Sequence, residues 1–287
     1  MLTRVDRVQL AVPDRASAGA GWVELLGAEP AGEDRVACLG ARRSRYRLGD
    51  GWVELLEPTG AGAVQEAVAA RGAHLFAAGA ATQDLGALVA HLRGLGVEPA
   101  VEGGQAYLDP AASGIGLRVV LSPDEALEPV GEVAFLYEVT LLAGEAPPAV
   151  DRCAELFALD AGAFVPIESK QYGYAGTLTL FHPDRLGRFE VITPSEPRNT
   201  MGRYFTRAGN SFYMAFAESP ALAAIEERAH ARGAGFTAVP AAEARAGVGA
   251  DTVFLHPSAL GGMMLGLSRP TMAWQWSGHP ERVEPAR

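Results

Sequence analysis

The sequence is poor in the features that would fix a function at a glance. Its 287 residues include two cysteines, Cys38 and Cys153. So few, and so far apart, they make neither a metal-type pair nor a disulfide framework, and they read as two small buried hydrophobes. No block of like charge stands out and no Lys/Arg patch appears, which argues against nucleic acid and against an anionic membrane as partner. No uninterrupted apolar run approaches the ~18 residues that a membrane helix needs. The first residues, MLTRVDRVQLAVPD, lack the charged, apolar and small-residue regions of a signal peptide. A cytoplasmic protein is therefore the expectation.

What is present is an ordinary globular composition. Hydrophobic residues make up 48%, enough for real cores, and charged residues 20%. Net charge is −10, which favours solubility and says little about fold. The length suggests about two domains.

The informative signal is repetition. GWVELLEP (51–58) returns as GRFEVITP (187–194). Each has a glutamate, Glu54 or Glu190, inside an apolar run that ends in proline. Residues 51–93 and 187–230 share an order of strand, loop, short helix, strand and amphipathic helix. A second repeat lies inside each half: FHPDRLGRFEV (181–191), LHPSALGGMMLGL (255–267) and LDPAASGIGLRVVL (108–121) share a His/Asp-Pro turn, a glycine and an apolar strand. The strand ends mark four units, about 5–58, 73–123, 132–194 and 210–270.

Each unit reads β-α-β-β-β. Its first strand alternates, with Val8, Leu10 and Val12 on one face and Arg7, Gln9 and Ala11 on the other. Its helix is amphipathic, through Leu85, Leu88, Val89 and Leu92 in one unit and Leu222, Ile225 and Ala229 in another. Such a unit buries one sheet face under its helix and leaves the other needing a partner unit. The expected fold is α+β: four βαβββ units paired into two half-open barrels. The polar, proline-bearing stretch SPDEALEPVG (122–131) places the domains at 1–125 and 126–270, with a tail at 271–287. Exposed strand edges on half-barrels are compatible with a homodimer.

Fourfold βαβββ with a late glutamate strand resembles the vicinal oxygen chelate superfamily, which includes glyoxalase I, methylmalonyl-CoA epimerase, extradiol dioxygenases and bleomycin resistance proteins. The resemblance covers roughly 5–270, and VELLEP (53–58) and FLHPSALGGMMLGL (254–267) are its most specific pieces. It implies metal ligands at two positions per unit, one on the first strand and one on the last. Carried over, these fall on Gln9 and Glu54, on His74 and Val119, on Glu138 and Glu190, and on Ser211 and Gly266. The first domain thus keeps three candidate ligands, Gln9, Glu54 and His74, and the second keeps two carboxylates.

The resemblance implies a metal-dependent enzyme of the glyoxalase or epimerase type, working on a small oxygenated substrate through an enediolate. Three N/O ligands from three strands suit a catalytic Zn, Ni, Co, Mn or Fe ion acting as Lewis acid. Glu54, Glu138 and Glu190 are the candidates for moving the proton. Arg45, Tyr172, Tyr174 and Tyr213 are candidates for holding a planar small molecule. Three alternatives stand beside this. A buried Glu54 could be neutralised by Arg7, Arg43 or Arg45 with no metal, in a protein that sequesters a ligand. Glu138 and Glu190 could raise one another's pKa and serve as an acid/base pair, making the second domain the active one. An extradiol dioxygenase needs two histidines and a carboxylate, and only His74 stands at a ligand position. His182 and His256 sit in the His-Pro turns.

Overall fold

A computed structural model describes residues 1–116, 118–240 and 250–285. The far end of the tail, 286–287, lies outside them. Four units follow one another. The first is β1 (Leu2–Ala11), α1 (Arg15–Leu26), β2 (Glu29–Val36), β3 (Ala41–Leu48) and β4 (Gly51–Pro58). Helix α2 (Ala63–Arg71) leads to the second: β5 (His74–Thr82), α3 (Leu85–Gly94), β6 (Ala100–Glu102), β7 (Gln105–Leu108), a short α4 (Pro110–Ser113) and β8 (Val119–Pro123). The third is β9 (Phe135–Leu142), α5 (Ala146–Phe157), β10 (Val165–Ser169), β11 (Tyr174–Leu180) and β12 (Arg188–Pro194). Helix α6 (Thr200–Ala208) leads to the fourth: β13 (Ser211–Glu218), α7 (Leu222–Ala231), β14 (Phe236–Pro240), β15 (Ala250–Leu255) and β16 (Met264–Ser268).

The strands form two eight-stranded sheets, ordered β2-β3-β4-β1-β5-β8-β7-β6 and β10-β11-β12-β9-β13-β16-β15-β14. The second order is the first with eight added to every number. In each unit the first and last strands pair in parallel across a helical crossover, as β1 with β4 and β9 with β12. The remaining pairs within a unit are antiparallel. This is the expected α+β fold of four βαβββ units in two curled, half-open sheets.

By compactness the chain divides into two units. One contains Met1–Val5, Ala77–Glu125 and Glu138–Tyr213; the other contains Asp6–Phe76, Ala126–Tyr137 and the chain from Met214 onward. In the first, Phe189 of β12 packs edge-on against Phe157 of α5 and Phe181, with ring centroids 5.8 and 5.0 Å apart. In the second, Trp22, Leu25 and Leu26 of α1 are buried. Each such side chain contributes about 1.5–3 kcal/mol by leaving water. Asp14 caps α1 by accepting from the backbone amides of Ala16 and Ser17. Gly19 lets α1 come down on β3: a β-carbon there would meet the Tyr46 hydroxyl at 2.3 Å. Tyr46 thus marks the helix-covered face of β3.

Of the two cysteines, Cys153 is buried but Cys38 is exposed. It lies in a turn of 3-10 helix between β2 and β3, where the chain leaves the sheet. The expectation of two buried cysteines holds for one.

Candidate functional site

The two glutamates that interrupt apolar strands are both buried, and they sit in opposite electrostatic surroundings. On β4, Glu54 lies opposite Gln9 of β1, and Trp52 opposite Arg7. Opposed residues share a sheet face, so these four point the same way. Gln9 donates from Nε2 to Glu54 Oε2 at 2.7 Å, and Arg7 from Nη1 to Oε1 at 2.8 Å. Arg43 of β3 adds Nη1 contacts of 3.3 Å to both oxygens. Arg7 also binds Asp6 at 2.6 Å, and Arg43 binds Asp34 at 2.7 Å. The result is an alternating chain, Asp6–Arg7–Glu54–Arg43–Asp34. Burial pushes the Glu54 carboxyl up, but Arg7 and Arg43, with the hydrogen bonds from Gln9 and Arg7, outweigh it and hold it below the usual carboxylate value.

His74, at the start of β5, is buried. Its Nδ1 lies 2.8 Å from the Gly72 carbonyl, so Nδ1 carries the proton and donates. Burial pushes the ring's pKa down to about 4, leaving it neutral. Its Nε2 and the Gln9 Oε1 are buried with no hydrogen-bond partner among the described residues.

The divalent ion implied at Gln9, Glu54 and His74 does not fit this arrangement. A carboxylate offers about four lone-pair sites. Glu54 gives one on each oxygen to Arg43, one to Arg7 and one to Gln9. An ion bound there would have to displace a guanidinium and sit beside two positive charges. Among the described residues, no group of three or more His, Cys, Asp and Glu is placed to hold a metal ion. Of the partners foreseen for a metal-free Glu54, Arg7 and Arg43 take the role, and Arg45 does not.

The second sheet repeats the geometry with the charges exchanged. On β12, Glu190 lies opposite Thr140 of β9, and Arg188 opposite Glu138. Thr140, rather than Glu138, therefore holds the place that Gln9 has in the first sheet, and Glu138 holds the place of Arg7. Setting VDRVQL (5–10) over LYEVTL (136–141) makes the exchange visible. Arg188 donates from Nε to Glu138 Oε2 at 2.6 Å, with both side chains essentially removed from solvent. The Thr140 hydroxyl donates to Glu190 Oε2 at 2.5 Å.

Among the described residues Glu190 makes no ion pair, and it stands in hydrogen-bonding reach of Glu138. Burial first, and the Glu138 carboxylate second, push its pKa up to about 8, against the pull of Thr140 and Arg188. Tyr174 of β11 is near enough to both carboxylates that burial, Glu190 and Glu138 all push its phenol up. It is therefore a neutral hydrogen-bond donor at any ordinary pH. Tyr213 of β13 packs on Tyr204 of α6, with ring centroids 5.1 Å apart, and burial raises it too. Tyr172, on the turn before β11, is 47% exposed.

Glu138, Glu190 and Tyr174 are thus brought together, as are Gln9 and Glu54. Sequence reasoning missed Thr140, and it missed that Arg188 pairs with Glu138. The available signal was the register of the repeat.

The chain has the fold expected from the resemblance to the vicinal oxygen chelate superfamily. It is similar over 98% of its length to 99% of a mutant of 4-hydroxymandelate synthase from Streptomyces coelicolor, at 15% identity and a TM-score of 0.73. It is also similar over 94% of its length to 49% of a fusion of a xylose isomerase-like TIM barrel with 4-hydroxyphenylpyruvate dioxygenase, at 14% identity and a TM-score of 0.63. A methylmalonyl-CoA epimerase in complex with methylmalonyl-CoA and NH4+ matches 45% of this chain over its whole length, at 23% identity and a TM-score of 0.39. At these identities the likeness is one of fold. No protein-family model matches the sequence, and no curated protein does. No helix among the described residues is long and apolar enough to cross a membrane.

Proposed function

We propose that the chain is an enzyme that moves a proton at a carbon beside a carbonyl, in a small oxygenated substrate, and that the second sheet carries the chemistry. The reading rests on Glu190, a buried carboxyl whose pKa is pushed up to about 8 by burial and by Glu138. A general base works best when its pKa lies near the working pH, and an ordinary carboxylate is too weak for carbon acids. Glu190 has that basicity, on the sheet face away from the Phe157–Phe189 core.

In the reaction, the Glu190 carboxylate takes the proton from the carbon next to the carbonyl. The C–H electron pair moves into the carbon–carbon bond, and negative charge develops on the carbonyl oxygen. Tyr174 supplies a neutral phenol O–H to that oxygen. Glu190 then returns the proton to the opposite face of the same carbon, once the intermediate has turned, in an epimerisation; in a hydroxy-ketone it returns it to the former carbonyl carbon while the hydroxyl proton passes to the former carbonyl oxygen, so that atoms and charge balance in an isomerisation. Glu138, ion-paired with Arg188, keeps the proton affinity of Glu190 high and acts as a positioning residue. The enediolate-type chemistry expected from the sequence is kept, and its seat moves from Gln9, Glu54 and His74 to Glu138 and Glu190.

The test is proton exchange. Hydroxy-ketones and acyl thioesters are incubated with the protein in D2O, and deuterium entry at the carbon beside the carbonyl is followed by NMR. Wild type and Glu54→Gln should exchange; Glu190→Gln should not. The rate should rise with pH through about pH 8, as Glu190 loses its proton. A folded Glu190→Gln variant that exchanges as fast as wild type ends this reading.

A further inference from the structure

The open face of the first sheet carries two arginines that its own carboxylates do not use. Side chains alternate along β3, so Arg43, Arg45 and Arg47 share one face while Ser44 and Tyr46 share the other. Tyr46 lies against α1. The three arginines therefore point away from the helix, to the side of Glu54 and Trp52, which stand opposite Arg45 and Arg47 in the register. Arg43 is taken up by Asp34 and Glu54.

Arg45 makes no ion pair among the described residues. Asp34, the acid its charge reaches, gives both oxygens to Arg43. Arg47 donates one Nη2 bond of 2.7 Å to the Glu128 carbonyl, a neutral acceptor, and among the described residues it makes no ion pair, although Glu29 stands opposite it in the register. The Nε atoms of both residues are buried with no hydrogen-bond partner among the described residues. The two guanidinium carbons lie 5.8 and 5.2 Å from the centre of the Trp52 ring. Contact with an indole holds a guanidinium in place while its in-plane N–H fork stays free to bind. Arg45, Arg47 and Trp52 are all half-buried, so solutes can reach them. Two guanidiniums fixed on one indole, with donors to spare, match the fork of an oxyanion.

We propose that Arg45, Arg47 and Trp52 form a binding site for a small molecule bearing an oxyanion, a carboxylate or a phosphate. The site belongs to the first sheet and does not depend on the Glu190 chemistry.

Calorimetric titration of the full chain with benzoate and, separately, with inorganic phosphate tests this. Saturable one-to-one binding of at least one probe is expected, and the tighter probe tells a carboxylate ligand from a phosphate one. Arg45→Gln should weaken it about tenfold or more, the effect of losing a charged hydrogen-bond donor. Arg42→Gln, an exposed change on the opposite face of β3, and Glu190→Gln should leave it unchanged. Arg45→Lys keeps the charge but loses the fork; it must also weaken binding, and it serves if Arg45→Gln does not fold. The proposal is overturned if neither probe saturates. It is equally overturned if Arg45 variants bind like wild type, or if Arg42→Gln weakens binding as much.

Discussion

Replacing Glu190 by glutamine should stabilise this protein, and more so as the pH rises. The folded-state pKa of Glu190 is about 8, against an ordinary value of 4.5. Below pH 4.5 the carboxyl is protonated in both folded and unfolded chains, so it contributes no pH-dependent difference. Between pH 4.5 and 8 the folded chain holds a proton that the unfolded chain has released, and stability falls as pH rises. Each unit of pKa difference corresponds to about 1.4 kcal/mol, so the loss across the window is about 4–5 kcal/mol. Glutamine keeps the shape and can still accept from the Thr140 hydroxyl, but it has no proton to lose. Urea unfolding of both proteins at pH 5, 6, 7 and 8, followed by tryptophan fluorescence, gives the comparison directly. The advantage of Glu190→Gln should be about 1 kcal/mol at pH 5 and grow to about 4 kcal/mol at pH 8. A difference that stays flat from pH 5 to pH 8 would refute the raised pKa, and with it the basis for Glu190 as a base.

Three further outcomes follow from the same charge arrangement. Glu54→Gln should destabilise by about 3–5 kcal/mol at pH 7, because it leaves Arg7 and Arg43 buried with too few carboxylates, and urea unfolding reads this directly. Glu54 has a lowered pKa, so its contribution is present above about pH 4.5 and is lost as the pH falls further; wild type and Glu54→Gln should therefore converge in acid. Arg188→Met should cost about 3–5 kcal/mol by stranding the buried Glu138 carboxylate beside Glu190, and adding Glu138→Gln should recover part of the loss, a coupling that a double-mutant cycle measures. Excess Zn, Ni, Co or Mn should leave unfolding unchanged; one equivalent of bound metal by elemental analysis, lost in both His74→Ala and Glu54→Gln, would overturn the assignment of Glu54 to Arg7 and Arg43.

The four units were legible because their cue is local. An alternating strand, an amphipathic helix and a late apolar strand recur with the same spacing, and each β-α-β-β-β stretch formed where that pattern lay. Glu54 and Glu190 were legible as special because a carboxylate inside an apolar run must be neutralised, hydrogen-bonded or protonated. Which of these applies was not legible. It depends on a two-residue register that sets Glu138 across from Arg188 instead of Glu190. It also depends on Arg43, which reaches Glu54 from β3, two positions away from the residue directly opposite. A reading by strand position alone finds the oxygen and nitrogen donors and overlooks the guanidiniums that occupy them. Cys38 shows the same limit: its apolar character says nothing about the turn that exposes it.

The arginine-for-glutamate exchange between Arg7 and Glu138 bears on how a duplicated fold diverges. Both copies keep the same strand pairing, a buried glutamate on the last strand and a polar residue facing it, Gln9 in one and Thr140 in the other. Two guanidiniums separate them: Arg7 and Arg43 hold the Glu54 carboxylate, whereas the same places in the second copy hold Glu138 and Gly176. A tandem fold can thus acquire a costly, chemically useful group in one copy while the sister copy continues to strengthen the whole. Invention here needs no new backbone, only a redistribution of charge over positions already built twice.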